Sequence, residues 1–206
     1  MQRVRSKGLK RTQRERLVQG MVEAANSGGY ASANVSAVIA NAGVSRPTFY
    51  DYFSDRDDCF AAAVRDVQDE LVERVEQTIA ARESSQAISA AIEALVTFAG
   101  SQPARARFGI SEALAGGRSA REARDHGIQR IVELIESSLL DAPESGSAPD
   151  VEHRVVLGGV YRLIASRLRR GEPAISRLID ELEQWTKKTV IIQADPTLHW
   201  EQYDIY

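Results

Sequence analysis

The chain has 206 residues, of which 43% are hydrophobic and 27% charged, a composition typical of a folded protein and unlike that of disordered chains. Its most apolar stretches, 87–100 and 155–168, are interrupted by Glu93 and Arg162 and are too short for a spanning helix, which needs about 20 apolar residues. The net charge is −3, no signal-peptide core follows the basic N-terminus, and the single cysteine excludes an intrachain disulfide, so we expect a cytoplasmic protein with no membrane partner.

The first quarter of the chain is basic although the whole chain is acidic. Residues 1–53 contain eight Lys or Arg and three acids, and residues 54–206 contain eighteen and twenty-six, which gives +5 and −8. Seven of the basic side chains lie within sixteen residues: Arg3, Arg5, Lys7, Lys10, Arg11, Arg14 and Arg16. Such clustering is typical of an arm that binds nucleic acid or another anionic surface, although a solvated tail accounts for it equally well. We expect residues 1–8 to be disordered in the absence of DNA.

Helical patterns account for the chain from residue 12 onward, and no strand-like alternation is present, so we predict an all-α protein of about nine helices. Thr12 and Glu15 have the spacing of a capping box and predict the start of the first helix. Gly28 and Gly29 predict its end.

Two short helices follow with little between them. Asn34 is a good N-cap for a second helix that ends at Ala42, and Ser45 is the cap of a third that runs to about Phe53. Gly43 permits the left-handed backbone that turns the chain between them. This is the spacing of a helix-turn-helix, although a tight hairpin in an ordinary core remains an alternative on spacing alone.

A long fourth helix is predicted to begin after Ser54, with one apolar stripe over about five turns: Phe60, Val64, Val67, Leu71, Val75 and Ile79. Helices five to seven fill the intervals between later breaks, and Ser119 with Glu122 forms a second capping box at the start of helix seven. Residues 141–150 read as a surface loop, followed by two helices over about 151–169 and 173–194.

The segment GVSRPTFYDYFSDRDDCF at residues 43–60 resembles the signature of the tetracycline-repressor (TetR) family of bacterial transcription regulators. The matching positions form one ungapped block: Ala42, Gly43, Val44, Ser45, Thr48, Tyr50, Tyr52, Phe53 and Arg56. The resemblance extends over about residues 12–60, with Ile39 and Pro47 as departures from the usual pattern. It implies a three-helix DNA-binding head at residues 1–56 and a helical domain at 57–206 that binds an effector and dimerises.

DNA-contacting residues can be assigned on this basis. Arg46 is predicted to read base edges, and Thr48, Tyr50 and Tyr52 to contact phosphate. Ser36, Ser45 and Arg56 are expected to flank them. The basic residues Arg3, Arg5, Lys7 and Lys10 are expected to follow the DNA backbone or minor groove. Phe49 and Phe53 are instead expected to pack the reading helix against helix one.

The rest of the chain is predicted to hold an effector and to form a homodimer. The predicted ligand contacts are Phe98, Phe108, Glu112 and His126, together with Ile110 and Leu114, although ordinary core packing is the more common role for such apolar side chains, and a solvated helix start for His126. The predicted dimer interface consists of Val156, Val160, Ile164, Ile175, Leu178, Leu182 and Trp185.

These patterns favour a dimeric repressor of a palindromic, double-stranded DNA operator, released by a small and mostly apolar effector of unknown identity. A helix-turn-helix protein without a small-molecule switch is the main alternative. An all-α enzyme is disfavoured because the chain lacks GxSxG, HExxH, GxGxxG and Walker segments, and its three histidines have no ligand spacing. No cofactor or metal is predicted.

Overall fold

The computed structural model of the protein describes residues 2–140 and 150–170 together with residues 178 and 181, and side chains from residue 13 onward except those of 150–154. This part of the chain is all-α, as predicted. Its eight α-helices are α1 (Gln2–Gly28), α2 (Val35–Ala42), α3 (Arg46–Tyr50), α4 (Arg56–Ala80), α5 (Ala87–Ser101), α6 (Pro103–Ile110), α7 (Arg118–Leu140) and α8 (Asp150–Arg170). Three short 3₁₀ turns join them at Tyr30–Ser32, Ser84–Gln86 and Glu112–Leu114.

Helix α1 begins ten residues earlier than the sequence pattern predicted. The predicted start at Thr12 and the predicted disorder of residues 1–8 are therefore wrong, since the backbone is helical from Gln2. Residues 2–11 contain no proline and are rich in Arg, Lys and Gln, which favour helix, so the helix continues through them and Thr12 does not act as a cap. Its end at Gly28 was predicted correctly.

The signals that bound α2 and α3 are confirmed. The Asn34 side chain accepts a hydrogen bond from the amide of Ala37 at 3.0 Å, and Gly43 ends α2 with φ 60° and ψ 43°. The Ser45 hydroxyl accepts from the amide of Thr48 at 3.3 Å, and Pro47 lies in the first turn of α3. Helix α3 ends at Tyr50 rather than Phe53, because a turn at Asp51 and Tyr52 follows it.

Helix α4 is the central helix of the fold, and all six side chains of its predicted stripe are buried. Its N-cap is Asp55, whose carboxylate accepts from the amide of Asp58 at 2.8 Å, and not Ser54 as predicted. Ser54 instead donates from its amide and its hydroxyl to the Asp58 carboxylate, at 3.0 and 3.3 Å.

Helices α5, α6 and α7 pack around α4. Helix α7 begins at Arg118, so Ser119 lies inside its first turn, and the prediction that Ser119 caps this helix is wrong. The buried amide of Gln68 on α4 donates to the Gly109 carbonyl at the end of α6, with an N···O distance of 3.0 Å. A Cβ added at Gly127 of α7 would lie 2.5 Å from the Gln68 Oε1, so Gly127 allows α7 to approach this amide closely.

Helix α8 packs against α5, α6 and α7, and it was predicted to within one residue at each end. The loop was predicted over 141–150, but Asp150 belongs to α8. Residues 141–149 and the helix predicted over 173–194 lie outside the described residues apart from Leu178 and Glu181. No helix within the described ranges is long and apolar enough to cross a membrane. Cys59 is fully buried on α4, and burial raises the pKa of its thiol to about 12.

The contact between α1 and α2 gives a stability prediction. A Cβ added at Gly20 would lie 2.7 Å from the Val38 carbonyl oxygen and 3.0 Å from the Ala42 amide nitrogen, and these backbone atoms cannot rotate away. Gly20→Ala should therefore lower the free energy of unfolding by about 1–3 kcal/mol, although alanine favours helix by about 1 kcal/mol. The neighbouring exposed variant Gln19→Ala should change it by less than about 0.5 kcal/mol. Thermal unfolding checks both, and equal stability of the two variants would contradict the tight α1–α2 contact.

Candidate nucleic-acid interface and ligand cavity

The turn between α2 and α3 is fixed by backbone bonds and by a side chain from α1. The amides of Gly43 and Val44 donate to the carbonyls of Ala40 and Ile39, at 3.3 and 3.2 Å. Arg16 of α1 donates to the Gly43 carbonyl at 2.9 Å, so α1 holds the turn directly. The sequence placed Arg16 only in a basic run and did not predict this contact.

Helix α3 has one buried and one exposed face. Phe49 is fully buried and Phe53 nearly so, with their ring centroids 5.7 Å apart, and Arg14 of α1 lies 5.7 Å from the Phe53 ring. This confirms that the two phenylalanines pack α3 inward. Arg46 and Tyr50, one helical turn apart, lie on the opposite face, and Tyr50 is 52% exposed.

Polar contacts orient several of the predicted DNA-contacting side chains. The Arg46 guanidinium donates to the Ser36 hydroxyl of α2 at 2.7 Å, which joins two of the predicted contacts. The hydroxyls of Ser45 and Thr48 lie 2.8 Å apart. Ser36, Ser45, Arg46 and Thr48 therefore lie together around the start of α3, although direct contact with DNA remains a prediction for each.

Tyr52 is half-buried beside α1. Its hydroxyl donates to the Oε1 of Gln13 at 3.4 Å. Burial and the nearby Asp51 carboxylate raise the pKa of Tyr52, so the phenol keeps its proton and remains a hydrogen-bond donor at neutral pH. The single phenolic proton is directed at Gln13, so it would have to leave Gln13 to reach a phosphate, and contact of Tyr52 with DNA remains a prediction.

Arg56, the predicted phosphate contact at the start of α4, already has protein partners. Its guanidinium donates to the Tyr30 hydroxyl at 2.6 Å and to the Asp57 carboxylate at 2.9 Å, and lies 4.2 Å from the Tyr30 ring centroid. Tyr30 also donates to Asp57 at 2.7 Å, and this bond lowers the pKa of Asp57. No sequence pattern predicted a role for Tyr30, which is 26 residues from Arg56.

The basic residues Arg3, Arg5, Lys7 and Lys10 lie on the first three turns of α1. Their side chains are outside the described part, so their approach to DNA remains a prediction. Because α1 is continuous, these positions extend from the same helix whose Arg14 lies over the Phe53 ring and whose Arg16 binds the turn.

A cavity of about 540 Å³ lies between α7 and α8. Residues at helical spacing on both helices form its walls: Arg124, Asp125, Ile128, Gln129 and Val132 on α7, and Gly158, Tyr161, Arg162, Ala165 and Arg169 on α8. Ile110 at the end of α6 and Leu114 in the 3₁₀ turn after it complete the lining. Ile110, Val132 and Tyr161 are buried, whereas Leu114, Arg162 and Arg169 are exposed. The cavity therefore has an apolar interior and an opening lined by arginine.

Most of the predicted ligand contacts lie elsewhere. Phe98 and Phe108 are fully buried in the core, where Phe108 packs on Phe60 with centroids 4.8 Å apart. Glu112 pairs with Arg107 at 3.6 Å, and His126 is exposed on α7. The structure places these four outside the lining of the cavity, and only Ile110 and Leu114 of the predicted set belong to it.

The predicted dimer residues fall into three groups. Val160, Ile164 and Leu178 are buried within the single chain, and Val156 is half-buried against the same core. Ile175, Leu182 and Trp185 lie outside the described residues. Among the described side chains of α8, the large exposed apolar ones are instead Val155 (65%) and Leu163 (42%), with Gly159 between them.

Comparison with known proteins gives a family. The model of bacterial regulatory proteins of the tetR family matches residues 18–63, which include α2, α3 and the start of α4. This match identifies residues 18–63 as a DNA-binding region of the TetR family, with its helix-turn-helix formed by α2 and α3, and the chain is a DNA-binding transcriptional regulator. No curated protein is significantly similar to the chain in sequence.

Solved structures share the fold of this TetR-family regulator. A transcriptional regulator from Rhodococcus sp. RHA1 is 23% identical, with a TM-score of 0.70, over 90% of this chain and 99% of that one. The fatty acid degradation regulator FadR from Bacillus halodurans is 15% identical, with a TM-score of 0.72, over 82% and 95%. FadR from Bacillus subtilis, solved in complex with stearoyl-CoA, is 16% identical, with a TM-score of 0.70, over 82% and 94%.

The exposed face of α3 predicts a division of roles in this TetR-family regulator. Arg46→Ala should reduce discrimination between cognate and mismatched operators by about 1–3 kcal/mol, because a base-edge contact carries sequence information. Tyr50→Phe should weaken binding to all operator variants about equally, because a phosphate contact carries none. Binding titrations on a set of single-mismatch operators measure both effects. Equal losses on cognate and mismatched DNA for Arg46→Ala would show that Arg46 touches only phosphate.

Proposed function

We propose that the chain is a repressor that binds a palindromic DNA operator as a homodimer and leaves it when a small molecule occupies the α7–α8 cavity. The observation that carries this proposal is the exposed Arg46–Tyr50 face of α3 on a chain that also contains a ligand-sized cavity. In this proposal residues 1–56 bind DNA, and residues 57–206 bind the effector and dimerise.

Packing between the two regions supports a switch. Helix α4 begins at Arg56, beside the helix-turn-helix, and its Gln68 binds the Gly109 carbonyl, whose neighbour Ile110 lines the cavity. A second line of contact runs from Tyr30 to Phe60 and from Phe60 to Phe108, with ring centroids 4.8 Å apart in each pair. A shift of α6 or α7 on ligand binding would therefore act on α4 and the head.

The effector is proposed to be a small molecule with an apolar part. The buried lining residues Ile110, Val132 and Ala165 support this, and the cavity volume is within the about 300–1,000 Å³ range of small-molecule sites. FadR from Bacillus subtilis, which has the same fold, was solved in complex with stearoyl-CoA, an apolar chain on an acidic carrier. That complex is consistent with an effector that has an apolar part. The alternative function, a DNA-binding protein without a small-molecule switch, gives this cavity no role.

The dimer interface is proposed to include the exposed face of α8. Val155, Gly159 and Leu163 are spaced four residues apart on one side of that helix, and a Cβ added at Gly159 would meet no atom within 4 Å. A second protomer can therefore approach this side closely. A two-fold dimer would hold two α3 helices about 34–36 Å apart, one turn of DNA.

The dimer can be tested at Gly159. Gly159→Arg should convert the dimer to a monomer because it adds a long, charged side chain to the proposed contact. It should leave the protomer at least as stable, since arginine favours helix over glycine by nearly 1 kcal/mol and has free space here. Size-exclusion chromatography with light scattering measures the assembly, and selection from random DNA should return palindromes for the wild type alone.

Gly159→Ala is the matched control, because it adds only a methyl group and should remain dimeric. A monomeric wild type, or a Gly159→Arg variant that is still a dimer on palindromic DNA, would contradict the proposed interface. A wild type that selects non-palindromic sites would contradict the repressor dimer itself.

The basic positions at the start of α1 give a prediction about salt. Each phosphate that a cation neutralises adds about 0.9 to the slope of log affinity against log salt concentration, so Arg3, Arg5, Lys7 and Lys10 on both protomers contribute up to about seven units. Replacing all four with glutamine should flatten the slope by several units. Helix propensity is similar for Arg, Lys and Gln, so thermal stability should be nearly unchanged. An unchanged slope would show that DNA binding uses the helix-turn-helix alone.

A further inference from the structure

We propose that the α7–α8 cavity binds an amphipathic anion, whose carboxylate or phosphate is held by Arg124, Arg162 and Arg169 while its apolar chain fills the interior. The inference rests on the proposed function in that it names the chemistry of the effector. It replaces the mostly apolar effector expected from the sequence with one that carries a negative charge at one end.

The charge of the lining supports an anion. Three arginines and a single acid, Asp125, line the cavity, although residues 54–206 together carry a charge of −8. Asp125 pairs with Arg124 at 3.0 Å, which leaves two positive charges uncompensated. Arg162 and Arg169 take part in no hydrogen bond or ion pair in the described part of the structure. Both are exposed at the opening, where a ligand's charged end would lie.

Two buried polar atoms beside the cavity have no partner. The Tyr161 hydroxyl and the Arg124 Nε are both inaccessible to solvent and make no hydrogen bond. Buried polar groups nearly always have a partner, so an unpaired hydroxyl and an unpaired guanidinium nitrogen on one cavity indicate a missing acceptor. The two side chains also contact each other, since the Arg124 guanidinium lies 5.7 Å from the Tyr161 ring centroid.

Tyr161 is a donor at any physiological pH. Burial raises the pKa of its phenol far above the usual value, and the nearby Arg124 charge offsets this only in part. The phenol therefore keeps its proton, and so it can donate a hydrogen bond to an anion's oxygen. The Arg124 Nε has no partner although Asp125 binds another nitrogen of the guanidinium, so it can donate a charge-assisted hydrogen bond to the same anion, and such bonds are shorter and stronger than neutral ones.

The remaining walls select for an apolar chain. Ile110, Ile128, Val132 and Ala165 line the cavity and offer no hydrogen-bonding side chain, and the amide of Gln129, which also lines it, donates to Glu133 at 3.0 Å. A purely polar anion such as phosphate would leave these walls in contact with water. A purely apolar ligand would leave the Tyr161 hydroxyl and Arg124 Nε unsatisfied. A molecule with both parts satisfies both halves of the cavity.

The test compares ligands that differ only at the charged end. Four probes are titrated into the full-length protein by calorimetry: dodecanoate, dodecanol, dodecanoyl-CoA and inorganic phosphate. The three amphiphiles are kept below their micellar concentrations. Dodecanoate or dodecanoyl-CoA should bind at least about 10-fold more tightly than dodecanol, since charge-assisted hydrogen bonds are the strong ones and each 1.4 kcal/mol is a factor of ten. Inorganic phosphate alone should bind weakly.

The arginine and tyrosine variants locate the anion. Arg124→Gln and Arg162→Gln should each weaken binding of the tighter anionic probe by about 10-fold or more and leave dodecanol binding unchanged. Tyr161→Phe should weaken it by a smaller factor. Arg118→Gln is the matched control, because Arg118 lies on α7 outside the cavity and pairs with Glu122. Unchanged melting temperature and operator binding without ligand show that each variant is folded.

The outcomes identify whether the anionic group is a carboxylate or a phosphate, and they test the ligand site and the proposed switch separately. Tight binding of dodecanoate identifies a carboxylate, whereas binding of dodecanoyl-CoA alone identifies the phosphates of the carrier. Equal affinity of dodecanol and both anionic probes, no binding of any amphiphile, or Arg124 and Arg162 variants that bind like the wild type would each overturn the inference. Operator titrations run in parallel: a probe that binds through these arginines but does not release DNA supports the site and contradicts the proposed switch.

Discussion

The buried amide of Gln68 is the point at which three helices of this regulator meet. Its Nε2 donates to the Gly109 carbonyl at the end of α6, and its Oε1 lies against Gly127 of α7, where only a glycine leaves room. The Nε2 bond satisfies a carbonyl at a helix end, whereas the buried Oε1 accepts no hydrogen bond in the described part of the structure. Because α4 carries Gln68 in its middle and Arg56 at its start, the positions of the head and of the cavity both depend on this contact.

Charged groups at the surface hold the same helices together. Arg105 of α6 forms ion pairs with Asp66 and Glu70 of α4, both at 2.9 Å. The Gln102 amide also donates a hydrogen bond to the Glu70 carboxylate. Burial alone would raise the pKa of Glu70, but hydrogen bonds from Arg74 and Gln102 and the charge of Arg105 lower it, so the carboxylate stays ionised. Helix α6 is thus held to α4 by a neutral buried bond and a charged, partly exposed cluster, which differ in their sensitivity to salt.

The helix-turn-helix was predictable because its signals are local, whereas the cavity was not. Asn34, Gly43 and Ser45 act on backbone atoms within five residues, so their roles follow from the sequence. The start of α1 was predicted wrongly because a good N-cap residue such as Thr12 does not start a new helix where the preceding residues, rich in Arg, Lys and Gln, are themselves helical. Arg124 and Tyr161 are 37 residues apart and meet only through packing of α7 on α8. The apolar stripe of Val160 and Ile164 had the period of a buried face, but periodicity does not distinguish the core of one chain from an interface between two.

The burial of Cys59 has a practical consequence for following this protein in solution. A thiol with a pKa of about 12 and no exposed surface is almost entirely protonated at neutral pH, whereas it is the thiolate that attacks maleimide or disulfide reagents. The only cysteine in the chain should therefore remain unlabelled in the folded protein. A cysteine introduced at exposed Leu114, beside the cavity opening, or at Tyr50 on α3 would then be the single reactive position, and spectroscopic probes could be attached there without removing the natural thiol.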